Sequence, residues 1–192
     1  EHAHENGVIH RDIKPSNIIV GKYPDGTDKA VIVDFGIAKI TDGETSKLTQ
    51  TGEVYGSPYY ISPEQALGQQ VDKRADIYSL GCVIFECLAG IPPYRGENAM
   101  QTAVQHINAP VPDLKIRARS ALPDALAELV SICLQKDPDA RFQSTAQLFE
   151  ALDAINQGKM ATVQKSQQKK LLLRRNRRFL LGAAIAATLI LL

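Results

Sequence analysis

The sequence predicts an α+β domain, mainly helical, with one small β-hairpin close to its start. Two observations carry that expectation. Ile18-Ile19-Val20 and Lys29–Val33 are short β-branched runs separated by the turn signal Pro24-Asp25-Gly26, the pattern of two strands joined by a tight connection. Beyond residue 72, four stretches repeat apolar residues at helical spacing and are bounded by Pro, Gly, Asp or Ser, which are helix stop and start signals. A length of 192 residues is enough for one domain with a proper core and a tail.

Residues 1–6 read as the end of a helix released by Gly7, and a polar loop runs from His10 to Asn17. The hairpin follows, with Asn17 at its entrance and Asp34 at its exit, so two oxygen-bearing side chains come to one place. Residues 37–60 are rich in Thr, Ser and Gly without a sustained period, and so long a loop inside a domain is expected to be functional. From Lys73 to Gly90, Ile77, Leu80, Val83, Ile84, Cys87 and Leu88 make a helix that should run through the middle of the domain. Asp72 can cap its start and Gly90 its end, and Pro92-Pro93 prevents continuation. Further helices are expected near 97–108, 123–135 and 144–156, with a polar to basic linker over 157–178 and no internal repeat.

Charge is divided sharply. Residues 1–158 carry 14 Lys and Arg against 21 Asp and Glu, while residues 159–192 carry eight Lys and Arg and no acid. Lys169, Lys170, Arg174, Arg175, Arg177 and Arg178 lie directly before the uncharged run 179–192. A spanning helix needs about 20 apolar residues, and this run stops short because the chain stops, so we read it as the start of a transmembrane helix. It is apolar all round, unlike an amphipathic core helix, and its position excludes a signal peptide. A basic flank stays on the cytoplasmic side, which makes the expectation a single-pass protein of the cell membrane with its domain in the cytoplasm. Each flanking charge adds about 1 kcal/mol of attraction to an anionic leaflet, and nucleic acid is not the expected partner. Cys82, Cys87 and Cys133 lack C-x-x-C spacing and read as small buried hydrophobes in a reducing compartment. His2 and His4 have no third close ligand for a metal and read as a solvated helix end.

The chemistry is concentrated in His10-Arg11-Asp12-Ile13-Lys14-Pro15-Ser16-Asn17, followed by Asp34-Phe35-Gly36 and by Ser62-Pro63-Glu64. Phosphoryl transfer needs a carboxylate to orient the attacking hydroxyl, a cation at the γ-phosphate and oxygen ligands for Mg²⁺. Asp12, Lys14, Asn17 and Asp34 are groups of those kinds. Taken alone, each also reads as an ordinary turn or surface residue; it is the ordered set that resembles the eukaryotic-type protein kinases. Ile61-Ser62-Pro63-Glu64-Gln65-Ala66, and the layout of domain, basic linker and single span, resemble the bacterial transmembrane Ser/Thr members. The resemblance implies a protein kinase-like fold in which residues 1–156 form the mainly helical C-terminal lobe, 157–178 the juxtamembrane linker and 179–192 the start of the span. The chain opens nine residues before the His-Arg-Asp triplet and shows no Gly-rich loop, so the expectation is a fragment lacking the N-terminal lobe.

The resemblance also implies roles. Asp12 would hold the substrate hydroxyl in line with the γ-phosphate, Lys14 would neutralise charge on the transferred group, and Asn17 and Asp34 would hold Mg²⁺. His10 would be a packing and hydrogen-bonding post beneath Asp34-Phe35-Gly36. Arg11 would pair with a phosphorylated activation loop, whose candidate acceptors are Thr45, Ser46, Thr49 and Thr51; Thr49 and Thr51 most resemble a doubly phosphorylated pattern. Ser57, where the family more often has Thr, would bridge Asp12 and Lys14 through its hydroxyl, and Ser62 stands where Ala is commoner. Glu64 and Arg141 would form a buried ion pair, and Asp76 would anchor the catalytic-loop backbone.

The expected activity is transfer of the γ-phosphate of ATP, with Mg²⁺, to Ser/Thr hydroxyls of proteins. Autophosphorylation in trans between two kinase copies is expected with it, in membrane-linked signalling. It would require the N-terminal lobe, which carries half of the nucleotide site. A catalytically inactive pseudokinase scaffold is the alternative. A small-molecule phosphotransferase of the aminoglycoside-kinase type ranks last, because it lacks the Lys14 pattern and the Ser-Pro-Glu segment.

Overall fold

The computed structural model describes residues 1–35 and 57–158, and the chain divides into two units, Glu1–Phe149 and Glu150–Leu192. The first unit begins with α1 (His2–Glu5), a 3₁₀ turn at Pro15–Asn17 and the strands β1 (Ile18–Lys22) and β2 (Asp28–Ile32). A second 3₁₀ turn, Pro58–Tyr60, leads into α2 (Pro63–Ala66), α3 (Arg74–Ala89), α4 (Ala99–Asn108), α5 (Leu114–Arg117) and α6 (Asp124–Cys133). A third 3₁₀ turn at Pro138–Ala140 precedes α7 (Thr145–Asn156), which runs into the second unit. The described residues of that second unit are the rest of α7 and its end, where the Gln157 side-chain amide donates to Asp153 at 2.6 Å.

The hairpin is antiparallel, in register from Ile18↔Ile32 to Lys22↔Asp28. Its turn works because Gly26 takes a φ of +86° and the Asp25 carboxylate accepts from both the Thr27 N–H and the Thr27 hydroxyl, at 2.9 and 2.6 Å. At the open end the Val33 N–H donates to the Asn17 carbonyl at 2.9 Å, so the entrance and exit of the hairpin are stitched together.

Helix α3 is the centre of the first unit: Ala75, Ile77, Tyr78, Cys82, Phe85 and Ala89 are all buried. It ends as expected, on Gly90 with φ +76°, whose N–H closes the helix onto the Glu86 carbonyl at 2.7 Å. At its start Asp72 makes the capping bond, its carboxylate accepting from the Arg74 N–H at 2.8 Å while also gripping the Arg74 guanidinium at 2.9 and 2.6 Å, and Lys73 between them is already helical. Two of the three cysteines are buried as expected and one is not. Cys82 and Cys133 are fully buried, but Cys87 is exposed. An almost wholly apolar helix does not announce which side meets solvent, and residues 80, 84, 87 and 88 turn out to lie on the less buried side. Burial pushes the Cys133 thiol up to about 12, which makes it inert at neutral pH.

Segments α2 and α5 and the three 3₁₀ turns were not among the expected elements; the Pro58–Tyr60 turn orders the last residues of what reads as one long loop. Among the described residues no helix is long and apolar enough to cross a membrane. The run 179–192, the basic cluster 169–178 and the loop residues Gly36, Thr45, Ser46, Thr49 and Thr51 lie outside the described residues.

Candidate active site

The loop from His10 to Asn17 is held from three sides. From α3, the buried Asp76 carboxylate accepts from the backbone N–H of His10 at 2.8 Å and of Arg11 at 2.8 Å. From α1, His4 Nε2 donates to the same carboxylate at 2.7 Å. From α2, the Gln65 side-chain amide donates to the Arg11 carbonyl at 2.9 Å. Arg11 is thereby fixed at a φ of +64°, a left-handed conformation that costs a non-glycine residue about 1–2 kcal/mol. Such strain persists where surrounding bonds over-determine it, and it clusters at functional sites.

His10 is buried and links the loop to the hairpin exit. Its Nδ1 accepts from the Asp12 N–H at 3.2 Å, which leaves Nε2 to donate to the Val33 carbonyl at 3.0 Å. Its ring lies 4.7 Å from that of Phe35. Asp34, between Val33 and Phe35, is the second left-handed non-glycine residue, at φ +57°.

The Asp12 carboxylate is the focus of the arrangement. Lys14 Nζ donates to its Oδ2 at 2.8 Å, and Asn17 Nδ2 donates to the same oxygen at 3.2 Å and to the Asp12 carbonyl at 2.9 Å. The Asn17 amide nitrogen is thus committed to Asp12, and Oδ1, which accepts a long 3.4 Å bond from the Ser16 hydroxyl, is the oxygen it can offer a cation. An amide oxygen and the Asp34 carboxylate are hard donors of the kind Mg²⁺ accepts, so the residues present fit that ion. Among the described residues no group of three or more His, Cys, Asp or Glu side chains is gathered for a metal by protein ligands alone. The Arg11 Nε is buried with no hydrogen-bond partner among the described residues, a donor whose desolvation is uncompensated.

The segment after the loop is anchored to the same frame. Ser57 is half-buried and extended at the head of the Pro58–Tyr60 turn. The Tyr60 hydroxyl donates to Glu86 at 2.5 Å and the Ser79 hydroxyl donates to the Tyr60 carbonyl at 2.7 Å; burial, reinforced by Glu86, pushes the Tyr60 hydroxyl up. Arg141, fully buried, meets Glu64 through two bonds of 2.7 and 2.8 Å. Its other three N–H groups reach the carbonyls of Gln135, Arg74 and Lys136 at 2.7, 3.0 and 3.0 Å. All five guanidinium donors are therefore satisfied, and removing Glu64 would strand a buried charge at a cost of roughly 3–5 kcal/mol.

Two of the residues that hold the loop escape a reading of the sequence. His4, expected at a solvated helix end, is instead buried against Asp76, with its side chain 8 % exposed, because α1 turns that face toward α3. Gln65 is signalled only by the spacing Ser62-x-x-Gln65, a capping-box pattern, which the structure contains with both of its reciprocal bonds.

The family model described as "Protein kinase domain" matches residues 1–153. The chain is 40% identical over 157 residues to serine/threonine-protein kinase PknB of Mycolicibacterium smegmatis, covering 81% of this chain and 24% of that protein. It is 41% identical over 157 residues to serine/threonine-protein kinase PknA of Mycobacterium tuberculosis, covering 82% of this chain and 34% of that protein. The chain thus spans about a quarter to a third of the length of these relatives. With a family match over residues 1–153 and a polar loop braced by His4, Gln65 and Asp76, the chain belongs to the protein kinase domain family.

Proposed function

We propose that the protein is an ATP- and Mg²⁺-dependent serine/threonine protein kinase, and that this chain supplies its catalytic loop and substrate-facing segment. One observation carries the reading: a carboxylate, Asp12, gripped by Lys14 at 2.8 Å and by Asn17 at 3.2 Å, on a loop whose backbone is tied to Asp76. Bound Mg-ATP supplies the transferable γ-phosphoryl group. Asp12 accepts the hydrogen bond of the attacking hydroxyl and sets its line of approach. Lys14 would bring positive charge to the transferred phosphoryl group, and Asn17 and Asp34 would supply oxygen ligands to the metal. The relatives' names, both serine/threonine-protein kinases, support the substrate class.

Regulation and location extend the same proposal. A phosphate on Thr49 or Thr51 would pair with Arg11, whose buried Nε has no partner among the described residues. Ser57 would place its hydroxyl between Asp12 and Lys14 when a substrate is seated. Residues 1–156 form the kinase lobe, 157–178 a basic linker and 179–192 the start of a single membrane span, with the kinase on the cytoplasmic side and two copies meeting for phosphorylation in trans.

The test is γ-phosphate transfer from Mg-ATP by the protein of the unbroken reading frame, with modified residues mapped by mass spectrometry. The wild type labels itself on Thr49 or Thr51 and labels a general acceptor protein. Asp12→Asn lowers the rate by at least about 10²-fold. A folded wild type that transfers to neither would replace the kinase reading with an inactive scaffold.

A further inference from the structure

We propose that Gln65 is a positioning residue for phosphoryl transfer: its side-chain amide clamps the Arg11 carbonyl and so holds the peptide that orients Asp12. The inference rests on the kinase reading above and adds a residue to it.

Three observations place Gln65 at this task. Its Nε2 donates to the Arg11 carbonyl at 2.9 Å across 54 positions of sequence. Its Oε1 accepts from the Ser62 N–H and hydroxyl at 3.2 and 3.0 Å, so the amide cannot turn over without losing both ends. The carbonyl it holds belongs to a residue at φ +64°, a conformation that an L side chain keeps only where its neighbours impose it.

Arg11 is held through its N–H by Asp76 at 2.8 Å and through its carbonyl by Gln65. Together the two contacts fix both peptide planes that flank its Cα, and the second of those planes leads directly into Asp12. Without the Gln65 donor that peptide keeps only the 3.2 Å bond from the Asp12 N–H to His10 Nδ1, and the backbone can relax toward an ordinary φ. That motion carries the Asp12 carboxylate away from Lys14 and Asn17. A small misplacement of an orienting group lowers the rate far more than it weakens binding. The clamp has a second consequence. Gln65 lies on α2, immediately after the Pro58–Tyr60 turn, so the segment that receives substrate and the loop that carries Asp12 share one side chain.

Gln65→Glu separates the clamp from helix capping. A glutamate keeps an acceptor for Ser62, completes a Ser-x-x-Glu capping box and suits the positive end of the helix, but it has no N–H for the Arg11 carbonyl. Ser62→Ala is the converse: it removes the capping hydroxyl, while the backbone N–H of residue 62 still holds Gln65 Oε1 and the Gln65 donor stays in place. Both are assayed in the full-length protein for kcat, for the KM of ATP and for melting midpoint. The clamp requires Q65E to lose about tenfold or more in kcat, with the KM of ATP within about twofold and the midpoint kept. It requires S62A to lower the midpoint while kcat stays within about twofold.

Wild-type kcat in Q65E overturns the clamp and leaves the kinase reading standing. No transfer by the wild type overturns the kinase reading and the clamp with it. Should Q65E melt early, Gln65→Met, neutral and without a donor, takes its place: it lacks the capping acceptor as S62A lacks the hydroxyl, and equal kcat in the two overturns the clamp.

Discussion

His106 shows how much of the stability of this fold rests on single buried groups. It is fully buried on α4, and its Nδ1 shares a hydrogen bond of 2.9 Å with the Tyr78 hydroxyl. Lys136 Nζ donates to the His106 carbonyl at 2.7 Å and to the Tyr94 hydroxyl at 2.9 Å, and stands 4.1 Å above the Tyr94 ring. Burial first, and the Lys136 charge second, push the imidazole down from 6.5 to about 3. The unfolded chain therefore binds a proton below pH 6.5 that the folded chain refuses. The stabilisation is fully present above pH 6.5 and is lost progressively as pH falls toward 3, at up to about 1.4 kcal/mol per pH unit. Urea unfolding at pH 7 and pH 4 should show the wild type losing about 3 kcal/mol more than His106→Gln, which has nothing to titrate; equal losses would mean that the imidazole is not held neutral. At this scale the sequence discloses chemistry better than conformation. Asp12, Lys14, Asn17 and Asp34 are legible because their types and order match a known motif. The left-handed backbones of Arg11 and Asp34 are not, since no residue type there signals positive φ as glycine does. The grip of Gln65 on the loop depends on a contact 54 residues away in the chain, which spacing alone does not disclose.

Elements meet as closely as their smallest residues permit, and the α3–α6 crossing is set by Gly81. A Cβ placed on Gly81 would lie 2.6 Å from the Cys133 Cβ and 3.4 Å from a Leu134 methyl. The first of these is the root of a side chain and cannot rotate out of the way. Gly81→Ala should therefore force the helices apart and destabilise the fold by about 1–3 kcal/mol, although alanine is the better helix former. Thermal unfolding measures it, since each 1 kcal/mol lowers the midpoint by about 2–4 °C in a domain of this size; an unchanged or raised midpoint would show that the crossing has slack. The long elements follow from periodicity. The hairpin and the helices beginning at Arg74, Ala99, Asp124 and Thr145 lie within a residue or two of their expected ranges. Segments α2 and α5 are four residues each, too short for a period to register. They exist because side chains close them: Ser62 with Gln65 at one, and Asp113, accepting from the Lys115 N–H at 2.9 Å, at the other. Cys87 defeats the pattern for the opposite reason, because a helix apolar on nearly every side carries no mark of its solvent face.

On the scale of the whole chain the dominant property is its division of charge. Residues 1–158 hold an excess of acid and residues 159–192 hold eight basic residues and no acid, while the net charge of the whole chain is only +1. Ordinary surface charge would be mixed along its length, and this segregation is the physical basis of the proposed membrane attachment. Two kinds of attachment are open to such a tail, and they respond oppositely to salt. Attraction of six basic residues to an anionic surface, about 1 kcal/mol each, weakens as the screening length falls from about 8 Å at physiological salt toward 3 Å at molar salt. Insertion of the apolar run 179–192 draws on burial of hydrocarbon at about 0.8 kcal/mol per CH₂ and survives salt. The expected outcome is that the chain of residues 1–192 sediments with phosphatidylserine vesicles at low salt and remains bound to neutral phosphatidylcholine vesicles at 1 M salt. A version ending at residue 158 should stay in solution under both conditions, repelled by the anionic surface through its net acid. Binding lost at 1 M salt would reduce the tail to a surface tether, and absence of binding to either vesicle would overturn the membrane proposal while leaving the kinase site untouched.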